Sequence, residues 1–470
     1  QGSRFWSNCL SLPFVFIGML RPLLNTKSDG APQTASRLDH FNLRPRCVLT
    51  LIAVVTAVAL GWVSLFRSSD TAASFANSLV LSSNRNRQSP MCQDHHSLIR
   101  IMNRDCRHEP ESMSGKTKHF ALPGLDATFP YYGQCMDEGG SFEYAVIVLH
   151  GNHRNGRTYY CLMWEALKRW NRMFARVNMR KVLILAPVFR YEGDSGYRKD
   201  IWWNHSKPIG DWREGGSSDP RSGAMISSFE VLDKLVAHLT SREKFPLLKH
   251  VVLVGHSAGG IMLQRFAWIM KTRDHGRRVS HVGISFVVVS ASIFLYFDDT
   301  RWAYHCGETG CGTGYLDTYT FADASRNSTD QFYCFTKRFN RWPYGLGRYR
   351  PDYLDSVGHF HRRISQYPNK DIAYLAGEGD TCNDRLQFCE ESCAYRSWGC
   401  MSNRLDERCP AMLQGEGRHQ RMLRYQKYLR HKFGEPVHHF HTIPGCGHAA
   451  PCVLLSAPTL REIWGPLARR

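Results

Sequence analysis

Six short apolar runs recur between residues 145 and 445, and they constrain the fold of this 470-residue chain more than any other feature. Most of them are nearly continuous in Val, Ile, Leu or Phe, without the apolar and polar alternation of a strand that has one face in water. The runs are AVIVLHG at 145–151, KVLILAP at 181–187, HVVLVGH at 250–256, HVGISFVVVS at 281–290, DIAYLAG at 371–377 and VHHFHTIPG at 437–445. Strands of this kind are buried on both faces, as in a parallel sheet.

Helix-like segments lie between the runs. In residues 225–239, apolar side chains recur every three or four positions, at Phe229, Leu232, Val236 and Leu239. Residues 416–432 form a second amphipathic segment that is poor in Gly and Pro. Because strands and helices alternate, we predict an α/β fold with a mostly parallel central sheet and helices on both of its faces.

Two long intervals interrupt the alternation. Residues 291–369 are rich in aromatic side chains, and residues 381–410 hold Cys382, Cys389, Cys393, Cys400 and Cys409. Loops of this length are rarely structureless in a compact domain, so we predict a cap insertion in the first interval and a disulfide-linked insertion in the second. Zinc binding is the alternative for the second interval, although the paired C-x₂-C units of many zinc sites are absent there.

The third run leads directly into G-H-S-A-G at residues 255–259, and a helix-like segment follows. A serine between two glycines, where a strand turns sharply into a helix, is a nucleophile elbow. In this interpretation Gly255, His256 and Gly259 form the elbow around Ser257. The turn exposes the serine side chain at the sheet edge, and the glycines leave room for the neighbouring strand and helix.

A nucleophilic serine needs a base that takes its proton and an acid that orients the base. In chains with an elbow the acid comes after the serine, and the histidine comes last. Asp380 follows the fifth run, at the carboxyl edge of the predicted sheet, and is the preferred acid. Glu378 is the near alternative, and Asp298 and Asp299 are the distant ones.

His448 is the predicted base, because it lies three residues after the last run, in the Gly-rich stretch PGCGHAAPC at 444–452. Its neighbours Cys446 and Cys452 have two interpretations: metal ligation together with His448, or disulfide formation, either with each other or with the cysteine-rich interval. We favour disulfides, because a metal would compete with the serine for the histidine. The expected oxyanion donors are the amides of Ala258 and Asn152, the latter after Gly151.

Residues 47–66, CVLTLIAVVTAVALGWVSLF, contain no charged side chain. A helix of twenty residues spans the roughly 30 Å hydrocarbon core of a bilayer, so this segment is predicted to be a transmembrane signal anchor. More arginines precede the span than follow it closely, which favours a cytoplasmic basic tail at 1–46. A buried core helix and a signal peptide cleaved near residues 71–74 are the alternatives.

Residues 67–115 are rich in Ser, Asn and Arg and are predicted to form a stem, followed by a folded domain at 116–470. Fourteen of the 16 cysteines come after the apolar span, and N-x-S/T sequons occur at Asn204 and Asn327. Both features favour a lumenal or extracellular domain, with disulfides and glycans, in a single-pass type II protein. A secreted form after signal cleavage is the alternative.

The net charge of +19 is spread along the chain rather than gathered in one block. No basic run with interleaved aromatic residues is present, so nucleic-acid binding is not predicted.

Several stretches together make the chain resemble the α/β-hydrolase superfamily over most of residues 140–460, and within it a largely uncharacterised group of microbial serine hydrolases. The stretches are HGNHRNGRTYY, ISSFEVLDKLVAHLTSREKFPLLKHVVLVGHSAGG, FLYFDD, NRWPYGL, YLAGEGDT, CPAMLQGEGRHQR and IPGCGHAA. The resemblance implies an α/β-hydrolase fold for 116–470, a triad of Ser257, Asp380 and His448, and an oxyanion donor after His150-Gly151. The chain departs from the group's pattern at Ser290-Ala291-Ser292 and at Ala449, which bears on pocket shape.

The expected function is that of a membrane-anchored serine hydrolase, esterase-like or lipase-like, that cleaves a carboxylic ester of a small-molecule or lipid-like acyl substrate without a metal or other cofactor. A serine at the elbow argues against dehalogenase and epoxide hydrolase chemistry, which needs a carboxylate nucleophile. The alternatives are a peptidase, amidase or acyltransferase with the same triad, and a non-catalytic binding ectodomain on the same fold.

Overall fold

A computed structural model describes most of the chain from residue 117 onward. The described residues are 117–136, 141–194, 199–204, 210–271, 282–302, 306–307, 310–311, 321–323, 339–381, 405–406, 408–434 and 437–468. The predicted tail, transmembrane span and stem lie outside them, as do Asn327 and most of the cysteine-rich interval. Among the described residues, no helix combines the length and the apolar character that crossing a membrane requires.

The strands follow one another along the chain as β1 to β14. Their bounds are Lys118–Ala121, Thr128–Gly133, Tyr144–Leu149, Val182–Pro187, Arg190–Tyr191, Trp202–Trp203, His250–His256, Gly283–Val289, Thr300–Trp302, Cys306–Gly307, Gly310–Cys311, Phe321–Asp323, Asp371–Gly377 and His439–Ile443. Within the described residues, eight of them form one sheet in the order β1-β2-β4-β3-β7-β8-β13-β14.

All six predicted runs are strands of this sheet, and they pair in parallel from β4 to β14. The short strands β1 and β2 extend one edge in the antiparallel sense. Their sequence does not predict strands, because LPGLDATFPYYG carries Pro and Gly among its apolar residues. The prediction of a mostly parallel sheet is therefore confirmed.

The described helices are named α1 to α9 in chain order. Their bounds are Gly156–Met173, Ser228–Leu239, Ala258–Ile269, Asp352–Val357, Phe360–Gln366, Cys409–Met412, Arg418–Phe433, Ala450–Leu454 and Ala457–Ala468. The two predicted amphipathic segments are α2 and α7. Helix α2 begins after Ser227, whose hydroxyl accepts a hydrogen bond from the amide of Phe229 at 3.2 Å and so caps the first turn.

Helices cover both faces of the sheet, because successive strand residues point to opposite sides. On β7, Val252 and Val254 pack with side chains of α1 and α9, whereas Val251 and Leu253 pack with side chains of α2, α3 and α7. The strands are buried on both sides, which explains why their sequences lack polar alternation.

Aromatic residues at the described ends of the 291–369 interval pack into the core on the face of the sheet that Val251 and Leu253 line. Phe294 stacks on Tyr425 with ring centroids 4.6 Å apart, and Phe297 lies against Trp268 at 5.7 Å. Tyr344 is also buried, with 5% of its surface exposed. These side chains stabilise the fold, so their apolar character carries no information about the substrate.

Candidate active site

Ser257 occupies the turn between β7 and α3. Its backbone angles are φ 56° and ψ −114°, a region that residues with a Cβ atom rarely adopt. The amide of Ser257 donates to the carbonyl of Val289 on β8 at 2.9 Å, and the amide of Ile261 donates to the carbonyl of Ser257 at 3.0 Å. The adjacent strand and helix therefore hold the strained turn, and the predicted change from strand to helix occurs at the serine.

Two glycines allow the elbow to pack this closely. A Cβ atom on Gly255 would lie 2.3 Å from the carbonyl oxygen of Gly259, and one on Gly259 would lie 2.5 Å from the carbonyl oxygen of Leu149. Carbon and oxygen atoms cannot approach so closely without a shift of the backbone. The glycines are therefore required by the contact of α3 with β3 and β7.

Three side chains that are distant in sequence meet at the turn. His448 Nε2 lies 3.0 Å from Ser257 Oγ, and His448 Nδ1 lies 2.9 Å from Asp380 Oδ2. All three residues are buried, with exposed fractions of 8%, 7% and 1% for Ser257, His448 and Asp380. A carboxylate only accepts hydrogen bonds, so Nδ1 carries the imidazole proton and Nε2 is left to accept the serine proton.

The three alternative acids lie elsewhere. Glu378 has an exposed side chain. Asp298 pairs with Lys432 Nζ at 2.5 Å, and Asp299 accepts a hydrogen bond from the amide group of Asn340. Of the four carboxylates considered from the sequence, it is Asp380 that contacts His448.

A disulfide closes the loop that carries His448. Cys446 and Cys452 are bonded to each other, with their Cα atoms 5.7 Å apart. Neither sulfur is therefore a thiolate, so the metal interpretation of PGCGHAAPC is wrong. The amide of Gly379 donates to the carbonyl of Cys446 at 2.9 Å, which ties the base loop to the loop of Asp380.

His256 contacts the backbone of His448 from the elbow. Its Nε2 lies 3.2 Å from the carbonyl oxygen of His448, and its Nδ1 lies 2.8 Å from the hydroxyl of Tyr159 on α1. Because a carbonyl accepts, Nε2 donates and Nδ1 accepts the tyrosine proton. Burial keeps the pKa of His256 well below its ordinary value, so the ring is neutral and suited to this bridging role.

A buried arginine lies beside the acid. Arg418, the first residue of α7, places Nη1 3.5 Å from Asp380 Oδ1, the oxygen that does not face His448. Burial by itself would raise the pKa of Asp380, but its interactions with His448 and Arg418 hold that pKa below its ordinary value. Burial and Arg418 lower the pKa of His448, which Asp380 opposes, so the neutral form of the imidazole is favoured.

The loop after β3 lies against the serine. A Cβ atom on Gly151 would be 3.6 Å from Ser257 Cβ. His150 Nδ1 lies 2.8 Å from the carbonyl oxygen of Gly151, and His150 Nε2 accepts from the amide of Phe189 at 2.9 Å. Burial lowers the pKa of His150 to about 4, which suits this neutral tautomer. In a trans peptide the N–H is opposite the C=O, so the amide of Asn152 points away from His150.

Arg154 supports the same loop from outside. It donates from Nη1 to the carbonyl of Asn152 at 2.9 Å, and Nε and Nη2 contact the two carboxylate oxygens of Asp194 at 2.6 and 2.9 Å. The other expected oxyanion donor, the amide of Ala258, is in the first turn of α3, where amides have no acceptor within the helix.

No sequence pattern predicts the supporting contacts of Arg418, Tyr159 and His150. Arg418 lies in the stretch GEGRHQR, but a single arginine at a helix start is usually solvated, and nothing local indicates its contact with Asp380. In the part of the chain that the structure describes, no group of three or more His, Cys, Asp or Glu side chains is arranged to hold a metal ion.

The model of the alpha/beta hydrolase family matches residues 146–461, about two thirds of the chain. The chain therefore belongs to the alpha/beta hydrolase family. A search of curated proteins finds no match.

The solved structures that match the chain share little sequence with it. The poly(3-hydroxybutyrate) depolymerase LpqC from Bordetella parapertussis is 17% identical, with 74% of this chain and 94% of that one covered and a TM-score of 0.43. Poly(aspartic acid) hydrolase-1 from Sphingomonas sp. KT-1 is 16% identical, with 74% of this chain and 98% of that one covered and a TM-score of 0.43. The siderophore hydrolase EstB from Aspergillus nidulans is 11% identical, with 74% of this chain and 94% of that one covered and a TM-score of 0.37.

Proposed function

We propose that this protein is a serine hydrolase that cleaves a carboxylic ester through an acyl-enzyme intermediate. The observation that carries the proposal is the continuous hydrogen-bonded chain from Ser257 through His448 to Asp380, buried at the carboxyl edge of the sheet. Nucleophile, base and orienting acid are thereby in contact, which is the arrangement that activates a serine hydroxyl.

In the first half-reaction, His448 Nε2 takes the proton of Ser257 as Oγ attacks the acyl carbonyl carbon. The amides of Ala258 and Asn152 donate to the negatively charged oxygen of the tetrahedral intermediate. The intermediate collapses when His448 returns the proton to the departing alcohol. Asp380 remains ionised throughout and stabilises the imidazolium.

In the second half-reaction, a water molecule gives its proton to His448 and attacks the acyl-enzyme. The proton then returns to Ser257 Oγ as the bond to the acyl group breaks, and a carboxylic acid is released. The neutral resting state of His448 fits both steps, because the imidazole must accept a proton at the start of each.

An ester is the proposed substrate because an alcohol leaves more readily than an amine. A triad of this kind therefore cleaves esters unless further groups favour amides. A peptidase or amidase would need donors and pockets for a peptide, and the described residues offer no observation that favours them.

We also propose that the catalytic domain acts in an oxidising compartment, anchored by residues 47–66. The disulfide between Cys446 and Cys452, together with a disulfide-bonded Cys161, supports this location, because such bonds are rare in reducing compartments.

A fluorophosphonate probe tests the chemistry, because it reacts covalently with activated serines. We expect the full-length wild type to be labelled, and the Ser257→Ala and His448→Ala variants to lose label while staying folded. Ser365→Ala is the matched control, because that serine is exposed on α5 and its hydroxyl contacts only the local carbonyl of Arg362 in the described structure.

Two results would contradict the proposal. A folded wild type that takes no label would show that the serine is not activated. Equal labelling of Ser257→Ala would place the nucleophile elsewhere. Comparison of matched ester and amide substrates then separates esterase from amidase activity.

A further inference from the structure

The mechanism above leaves one charged group without a role. Arg418 and Asp380 form an ion pair with 3% and 0% of their side chains exposed. Moving both charges out of water is costly, and a buried pair is often no more stabilising than an apolar pair of the same size. Stability is therefore a weak explanation for this arginine.

The backbone brings Arg418 to this position through a close contact. Gly417 precedes it, and a Cβ atom there would lie 2.7 Å from the Cα atom of Thr381. The amide of His419 donates to the carbonyl of Asp380 at 3.1 Å. The start of α7 thus packs directly on the aspartate loop, and the contact requires a glycine.

The two oxygens of Asp380 have different partners. Oδ2 faces His448 Nδ1 at 2.9 Å, and Oδ1 faces Arg418 Nη1 at 3.5 Å. A carboxylate held from both sides cannot rotate freely, so the lone pair that orients the imidazole stays in place. An arginine remains protonated under ordinary conditions, so the partner of Oδ1 is a permanent positive charge.

That charge also acts on His448. The titratable groups around the imidazole are Asp380 from the loop after β13, Arg418 from α7, and His256 from the elbow, which Tyr159 contacts from α1. Glu378 and His419 lie further out, around Asp380. His256 is neutral, so the near charges are one negative and one positive. The positive one opposes protonation of His448.

We propose that Arg418 is a positioning residue: it holds the Asp380 carboxylate ionised and turned toward His448, and its charge keeps the imidazole unprotonated, so the site stays active at lower pH. The inference rests on the hydrolase function proposed above. It assigns to Arg418 an electrostatic role in setting the acid limit of activity.

The sign of the expected effect follows from the charges. A base loses activity as the pH falls through its pKa. Without the arginine, His448 takes up a proton more readily and Asp380 is less well held as an anion, so both changes move the loss of activity to higher pH. For a charge removed at this range, the expected shift is about one pH unit.

The test compares full-length wild type with Arg418→Met and Arg418→Lys. The rate of fluorophosphonate labelling against pH reports the acid limb, and NMR of labelled histidine reports the pKa of His448 directly. We expect Arg418→Met to raise both midpoints by about one pH unit. Arg418→Lys should keep both midpoints close to the wild-type values, because it keeps the positive charge.

Arg421→Met is the matched control. Arg421 is buried on the same helix, but its described bonds go to the backbone carbonyls of Ser292, Asp406 and Gly415. This variant also removes a buried guanidinium, and it should leave the acid limb unchanged. A purely structural role for Arg418 would make the two methionine variants behave alike.

If Arg418→Met does not fold, the same comparison can be made in a protein that already carries Asp380→Asn. Asp380→Asn removes the partner charge, so Asp380→Asn with Arg418→Met leaves no unpaired buried ion. The pKa of His448 should be higher in the double variant than in Asp380→Asn alone. Equal pKa values in that pair, or a folded Arg418→Met protein with a wild-type acid limb, would overturn the inference.

The two proposals fail separately. If wild type takes no label but the NMR pKa of His448 rises on loss of Arg418, the electrostatic role stands and the hydrolase function falls. If wild type is labelled and neither midpoint moves, the hydrolase function stands and the role of Arg418 falls.

Discussion

The serine half and the acid-base half of the candidate site are held by different means. Ser257 is held by main-chain packing: its amide bonds to Val289, and the glycines at 255 and 259 let backbone meet backbone. His448 and Asp380 are held by similar backbone contacts, such as that of the Gly379 amide with the carbonyl of Cys446, and in addition by a disulfide and an ion pair with Arg418.

The positions of the two halves in the sheet explain the difference. Strand β7 lies inside the sheet between β3 and β8, whereas β13 and β14 are the last two strands at one end of the sheet, and β14 is the edge strand. An elbow inside the sheet is surrounded by regular backbone, but the loop of His448 follows the edge strand β14 and has less of it nearby. We infer that the serine half depends on backbone packing, whereas the acid-base half depends on side-chain interactions as well.

The largest effect should come from Asp380→Asn, which preserves volume but removes the charge. An amide group can present its NH₂ to His448 and favour the tautomer that cannot accept the serine proton. We expect kcat for ester hydrolysis to fall on the order of 10⁴-fold. Asp298→Asn is the control, because that carboxylate pairs with Lys432 away from the triad. A loss below tenfold in Asp380→Asn would argue against the acid assignment.

The next effect tests the packing of the serine half. Gly259→Ala would place a Cβ atom 2.5 Å from the carbonyl oxygen of Leu149. We expect it to lower the free energy of unfolding by up to about 3 kcal/mol and to reduce labelling of Ser257. Chemical denaturation measures the first quantity.

Gly447→Ala provides the matched comparison in the acid-base half. Its nearest contact would be 3.6 Å, to the carbonyl oxygen of Gly379, which is an ordinary van der Waals distance. We expect a change within about 0.5 kcal/mol and retained activity. If the two alanine variants lose similar stability, the close contact of Gly259 with Leu149 does not limit the packing of the elbow.

A smaller effect should follow from opening the disulfide. Cys446 and Cys452 are six positions apart, and releasing so short a loop costs about 2 kcal/mol in the chain-entropy account. Cys446→Ser with Cys452→Ser should therefore lower the melting temperature and reduce kcat by less than Asp380→Asn does. Cys135→Ser is the control, because Cys135 is a free thiol. Unchanged stability and activity in the double variant would show that hydrogen bonds alone hold the loop.

Much of the fold could be predicted because strands that are buried on both faces have continuous apolar sequences. The six apolar runs became strands of one sheet, and their parallel pairing follows from the helices between them. The β1 and β2 hairpin escaped prediction because its strands are short and contain Pro130 and Gly133. The aromatic residues of the 291–369 interval are predicted to form a cap, and of those described, Phe294 and Phe297 pack in the core, since an apolar side chain does not reveal which surface it covers.

The candidate site also has a part that the sequence predicts and a part that needed the structure. Ser257 could be found because an elbow is a local motif, and Asp380 and His448 because they follow strands that end at one edge. The choice among four acids, and between a metal and a disulfide at Cys446, needed three-dimensional contacts.

The sequence by itself determined the elements that local patterns encode: the strands, the elbow at Ser257 and the two loops that return to it. Only the tertiary structure decided that Arg418 lies on Asp380 and that His256 bridges Tyr159 to the carbonyl of His448. Hydrophobic periodicity and turn preferences depend on residues that are close in the chain, so the sequence alone reveals them. Electrostatic interactions in a buried site depend on distances between residues far apart in the chain, which the folded structure alone sets.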